Sequence, residues 1–133
     1  MNNHDIHEGL SVTYSKLTTN SDSFVAADTI FNYLVSTPAI ITMVIDISSK
    51  MLDSRLPQNY VTIGNDIHFS HLHATLIGEK LELTVKVEKV DRNRIYLDIV
   101  VKDHVGIIGT GKYERVIIDK SRLNKEAFER SKI

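Results

Sequence analysis

The chain has no cysteine and no tryptophan, and only two prolines and six glycines in 133 residues. Without cysteine there is no disulfide framework, no thiolate zinc site and no cysteine nucleophile, which fits a reducing compartment. A surplus of charge is also lacking: sixteen Lys and Arg stand against seventeen Asp and Glu, a net charge of −1. No long basic run occurs, so a nucleic-acid binder driven by phosphate contacts is not expected. Long hydrophobic runs are missing as well. The most apolar stretch, PAIITMVIDI at 38–47, is too short to span a bilayer, and MNNHDIHEGL at the start has no basic segment leading into an apolar one. The expectation is a soluble, cytoplasmic protein with neither nucleic acid nor membrane as a partner.

What is present suits one domain, 1–133, with its core over about 10–120. LSVTYSK alternates Leu10, Val12 and Tyr14 with polar residues, the period of a half-buried strand. A polar loop, TTNSDS, and an irregular or helical approach, FVAADTIFNYLVS, follow. STPAIITMVIDISSKMLDSRL then predicts a helix starting near Thr37, capped by Ser36 or Thr37, with Pro38 in the first turn. At about 100° per residue, Ile40, Ile41, Met43, Val44, Ile45, Ile47, Met51 and Leu52 share a broad apolar face, and Thr42, Asp46, Ser49 and Lys50 take the other. Four strand-like runs follow, beginning VTIGNDIHFSHLHA, EKLELTVKVEKV, RIYLDIVVKD and VGIIGTGKYERVIID. They predict an antiparallel meander on which the helix lies. A short polar helix at 121–131 closes the chain. The class is α+β.

GNDIHFSHLHATLIG, 64–78, places His68, His71 and His73 close together. Strand parity puts Val61, Ile63, Ile67, Phe69, His71 and His73 on the face toward the helix and Gly64, Asp66, His68 and Ser70 on the opposite one. Parity therefore argues against a three-histidine metal set, and His71 and His73 have no third ligand at a supporting spacing. Two readings of this pair stand: strand histidines satisfied by neighbours, or a proton-transfer group.

VSTPAIITMV, then VTIGNDIHFSHLHATLIG, then VKDHVGIIGTGKYERVIID resemble, in order from about residue 10 to 125, the fluoroacetyl-CoA thioesterase-like branch of the hotdog superfamily. The resemblance implies a hotdog domain, a long central helix wrapped by an antiparallel sheet. Such domains usually dimerise so that acyl-CoA sites form between subunits. It further implies a catalytic threonine at the helix start, matched by Thr37, whose plain alternative is a helix cap. The family's glycine and histidine, seven residues apart, match Gly64 and His71. The proline that follows in the family pattern is Leu76 here. Arg115 in GTGKYER matches an arginine near the active site, with Tyr113 where histidine is common. The alternative for Arg115 is a solvated strand residue.

One departure is chemical. The family's glutamate, eight residues after its threonine, falls on Ile45. Asp46 is adjacent, but one step turns a side chain by about 100°, to the polar face, where an i,i+4 pair with Lys50 is the ordinary role. A π-bulge would be needed to rotate Asp46 inward as an alternative carboxylate. The resulting expectation is an acyl-CoA thioesterase-like hydrolase, with Thr37 and His71 catalytic and Gly64 and Arg115 binding substrate. It is expected to need no metal and no cofactor beyond the CoA of its substrate. A homodimer is expected; a non-catalytic acyl-CoA or acyl-thioester binding protein is the alternative, and a hotdog dehydratase or hydratase comes third.

Overall fold

The computed structural model describes residues 4–23 and 32–133. Most of the predicted approach FVAADTIFNYLVS, residues 24–31, lies outside the described residues. Helix α1 (Thr37–Asp53) lies against one five-stranded antiparallel sheet. Its strands are β1 (Ser11–Leu17), β2 (Tyr60–His71), β3 (Lys80–Asp91), β4 (Arg94–Lys102) and β5 (Ile107–Asp119). Helix α2 (Lys120–Ser131) follows β5, capped by Asp119, whose carboxylate accepts from the N–H groups of Ser121 and Arg122.

The alternation in the sequence becomes the core. Leu81, Leu83, Val85 and Val87 of β3 and Ile95, Leu97, Ile99 and Val101 of β4 are all buried against α1, while Glu82, Lys86 and Glu88 point to solvent. Each such side chain removed from water stabilises the fold by about 2 kcal/mol. The strand order is β1-β3-β4-β5-β2. Only β3, β4 and β5 form the predicted meander, because β1 and β4 occupy both edges of β3 and leave β2 to pair with β5. Period-2 patterning identifies a strand's faces but carries no information about its neighbours, so β2 shows the same alternation although it pairs with β5 and not with β3. One edge of β2 consequently has no strand beside it among the described residues.

Two sequence expectations about faces are corrected. On α1, Ile40, Met43, Val44, Ile47, Met51 and Leu52 are buried, but Ile45 is 39% exposed. Ser48 takes a core position instead, its hydroxyl donating to the Val44 carbonyl at 2.6 Å. On β2, the register against β5 slips between Gly64 and Asp66. The extra residue, Asn65, is a β-bulge that reverses the parity on its two sides. Thr62, and not Val61 or Ile63, is the buried residue before the bulge, whereas Ile67, Phe69 and His71 are the partly buried ones after it. The turn-prone trio Gly64, Asn65 and Asp66 inside a strand pattern was the signal for this bulge.

Candidate active site

The start of α1 is pinned from two sides. Ser36 donates its N–H to the carbonyl of Asp22, in a 3-10 turn at Asn20–Asp22, and Val35 donates to the carbonyl of Thr75. Asp22 is buried. Burial pushes its carboxyl up, but hydrogen bonds from Lys16 and Thr19 outweigh this and hold it below the ordinary carboxylate value. An ionised Asp22 thus anchors the turn that holds the helix start.

Ser36 is the cap: its hydroxyl oxygen accepts from Ala39 N–H at 3.1 Å, and its carbonyl accepts from Ile40 N–H at 3.2 Å. Because Ser36 does this work, the hydroxyl of Thr37, the first helical residue, is free for another partner. It finds His71. Thr37 Oγ1 lies 2.7 Å from His71 Nδ1, a full-strength hydrogen bond between residues 34 positions apart. Either atom can be the donor, according to the imidazole tautomer. Of the first-turn N–H groups, Pro38 has none and Ser36 takes those of Ala39 and Ile40, so that of Thr37 stays without a partner among the described residues.

His71 is the last residue of β2, paired in register with Gly109, and its ring packs on Phe69 with centroids 6.2 Å apart. A side chain on Gly109 would collide with the Phe69 ring, so this glycine makes the packing possible. Burial lowers the His71 pKa below its ordinary 6.5, an effect the nearby His73 backbone partly opposes. At neutral pH the imidazole is therefore uncharged and able to accept a proton. Its other nitrogen, Nε2, is buried and has no hydrogen-bond partner among the described residues. A buried orphan polar atom beside a hydrogen-bonded hydroxyl–imidazole pair marks a place where a further group belongs.

The other histidines do not converge here. His68 is exposed on the outer face, 3.2 Å from the Asp66 carboxylate. His73, expected to face inward beside His71, is exposed, because the strand ends and both Leu72 and His73 donate their N–H groups to the Ile108 carbonyl. No group of three or more metal-ligating side chains lies together among the described residues.

Asp46 is exposed and paired with Lys50 at 3.0 Å. It lies about 180° around the helix from Thr37, and no π-bulge rotates it, since 37–53 is uniformly α-helical.

Arg115 is neither solvated nor beside His71 in its own chain. It is 3% exposed. Its Nε donates to Thr62 Oγ1 at 2.8 Å, its Nη2 to the Thr62 carbonyl at 2.6 Å, and its Nη1 to the Tyr113 hydroxyl at 2.7 Å. Thr62 in turn donates its N–H and its hydroxyl to the Asp53 carboxylate, at 2.8 and 2.7 Å, so the buried cation reaches an anion through one hydroxyl. Gly64, the register partner of Arg115, has no side chain because a Cβ there would strike the Tyr113 hydroxyl. Thr62 and Asp53 were not singled out from the sequence; the bulge that turns Thr62 inward assembles them with Tyr113.

A family model described as fluoroacetyl-CoA-specific thioesterase matches residues 19–121. No match was found among curated proteins. Among solved structures, a hot-dog-like protein from Thermanaerovibrio acidaminovorans superposes with a TM-score of 0.88 at 27% identity, covering 92% of this chain and 91% of that one. A Thermus thermophilus hypothetical protein of the thioesterase superfamily gives 0.83 at 23%, over 96% and 94%. The fluoroacetyl-CoA thioesterase FlK gives 0.84 at 18%, over 94% and 97%. The likenesses below a quarter identity speak for the hotdog fold alone, while the family model spans most of the chain. Fold, match and motif order agree: the chain belongs to the fluoroacetyl-CoA-specific thioesterase family.

Proposed function

We propose that this protein hydrolyses a small acyl-CoA thioester, as a homodimer, with Thr37 and His71 as its catalytic residues. The observation that carries this reading is the 2.7 Å bond between Thr37 Oγ1 and His71 Nδ1 at a capped helix start. As Oγ1 attacks the thioester carbonyl, Nδ1 takes its proton, and the Thr37 N–H is aimed from the helix start toward the developing oxyanion. The proton then passes to the departing CoA sulfur. Water, losing a proton to the same imidazole, cleaves the acyl-threonine to the free acid and restores the hydroxyl.

The dimer follows from the free edge of β2. Asp53 already accepts the Thr62 N–H, so the open run is Gly64 to His71. Antiparallel pairing of that run with a second copy, centred on His68 and with Asn65 bulged out of register, sets His71 opposite Gly64 of the partner subunit. It also brings Arg115 of the partner subunit beneath the same site, so that Gly64 would line the substrate site across the interface and Arg115, buried behind it, would hold that stretch of β2 in place. Light scattering at micromolar concentration should return twice the chain mass of 15.1 kDa; a monomer would remove this arrangement. Release of free CoA from a panel of short acyl-CoAs tests the chemistry, and saturable binding without turnover would make the protein an acyl-CoA binder instead.

The resemblance sets a carboxylate where Ile45 stands, and Nε2 of His71 has no partner among the described residues. A base is ordinarily oriented by a third group, and the carboxylate that does so in the family is missing here. A helical side chain leans toward the helix N-terminus, so a glutamate at 45, about two turns after Thr37, would extend toward that end of the helix. Ile45→Glu should raise turnover roughly tenfold, short of the hundredfold of a well-positioned group, because the position is partly solvated. That exposure also lets the carboxylate stay charged at little cost to folding. Asp46→Ala, which removes only a surface pair, should leave turnover within about twofold. No gain in folded, dimeric Ile45→Glu with abolished turnover in Asp46→Ala would make Asp46 the working carboxylate.

A further inference from the structure

We propose that the outward face of α2 binds the nucleotide end of coenzyme A, an adenosine 3′-phosphate 5′-diphosphate, at the active site of the opposite subunit. The inference rests on the thioesterase dimer described above and adds to it the group that holds the far end of the substrate.

Helix α2 contributes no buried residue to the fold, and Leu123 is its one half-buried side chain. On the side opposite Leu123, Ser121, Lys125, Phe128 and Lys132 fall within an arc of about 60°. Phe128 is 69% exposed, an aromatic ring held in water with no packing role. Lys125 precedes it by three residues and Lys132 follows by four, the spacings at which side chains on a helix surface are neighbours. Neither lysine makes a salt bridge among the described residues; the one ion pair within α2 joins Arg122 and Glu126, off this face. A ring flanked by two free ammonium groups offers a purine a stacking surface and its phosphates two cations.

The charge distribution favours the same ligand. Five of the sixteen basic residues and only two of the seventeen acidic ones lie at 120–133, so that segment carries +3 while residues 1–119 carry −4. The body repels a polyanion, and α2 is where the opposite sign is gathered.

Placement decides which subunit is served. Tyr60 pairs with Asp119, and Lys120 donates its N–H to the Asn59 carbonyl, so α2 leaves the sheet at the start of β2. The His71 of the same chain is at the other end, about 36 Å away at the rise of a strand. In the antiparallel dimer the relation inverts. With Gly64 of the partner subunit opposite His71, the partner's Tyr60, beside which its α2 begins, lies only about 13 Å further on, so the α2 of the opposite subunit is the nearer one.

The test compares an acyl-CoA with the matching acyl-pantetheine, which carries the same thioester without the nucleotide. In the dimeric Lys125→Glu/Lys132→Glu variant, the ratio of KM for acyl-CoA to KM for acyl-pantetheine should rise roughly tenfold or more, and in Phe128→Ala several-fold. An unchanged ratio in both overturns the proposal. Heterodimers purified with two tags locate the helix: one chain carries His71→Ala, the other the two lysine reversals. The only intact His71 is then served by the wild-type α2 of the other chain, and KM for acyl-CoA should return to the wild-type value. If it stays raised, α2 acts on its own subunit and the placement is wrong. Calorimetry with adenosine 3′,5′-bisphosphate tests the face independently of turnover. Binding that the lysine reversals abolish supports it even in a protein that hydrolyses no thioester, an outcome that would overturn only the hydrolase reading; absence of binding to the wild-type dimer overturns the nucleotide site.

Discussion

Replacing His71 with Ala should lower thioester hydrolysis by about a hundred- to ten-thousand-fold, the usual contribution of a positioned acid–base group. The bond to Thr37 Oγ1 and the half-buried setting give this imidazole both a proton donor and a neutral state at pH 7. His68 is the control. It is exposed on the outer face of the sheet, with Asp66 as its partner, and His68→Ala should change turnover less than about twofold. Equal losses at the two positions would place the chemistry elsewhere. The pH profile carries the same signature. Since burial lowers the His71 pKa, kcat/KM should be level through pH 7 and fall only on the acid side of 6.5. Stability has a matching sign: the unfolded chain binds the proton more readily, so stability contributed by neutral His71 is complete above the unfolded value of 6.5. It is lost progressively as pH falls from there through the lower folded value. In His71→Ala that acid-side loss should shrink, a result readable by thermal melts whether or not the variant turns over substrate.

The second large effect is structural. Arg115→Ala should destabilise the fold by about 3 kcal/mol, lowering Tm by roughly 10 °C. Two effects compete. The substitution deprives the Thr62 carbonyl and the Tyr113 hydroxyl of their donors and opens a cavity beneath β2, both of which destabilise. It also relieves the chain of burying a guanidinium whose nearest carboxylate, Asp53, is reached only through Thr62, which stabilises. With three donating nitrogens engaged at 2.6–2.8 Å, the lost hydrogen bonds and the cavity win. Arg115→Met, which refills most of the volume without the charge, should recover part of the loss. Arg94→Ala offers the surface comparison, since its pair with Glu114 is half exposed and should matter by less than about 1 kcal/mol. A melting temperature unchanged in Arg115→Ala would mean that the Thr62–Asp53 link holds β2 to α1 unaided.

The elements and their order were legible in the sequence, and the family resemblance singled out Thr37 and His71. Alternation in LELTVKV and IYLDIVV is legible because a strand has two faces and the core accepts only one. Ser36 and Pro38 announce where α1 begins because the first turn leaves N–H groups that must be capped or absent. The chemistry of Thr37 and His71, though, needed the fold: the two stand 34 residues apart, and only the turn at Asn20–Asp22 and the end of β2 bring Oγ1 to Nδ1. Tertiary structure alone decided three further matters. It paired β2 with β5, because the edges of β3 were already taken. It turned Thr62 inward through the bulge at Asn65, and it buried Arg115, for which the sequence had left substrate binding and a solvated strand position both open. It left Ile45 partly in water, because the apolar face of α1 is wider than the sheet of one chain can cover. Hydrophobic periodicity is local and tells which way a side chain faces; register, strand partners and the limits of a single subunit's core depend on contacts between distant residues, which no local pattern encodes.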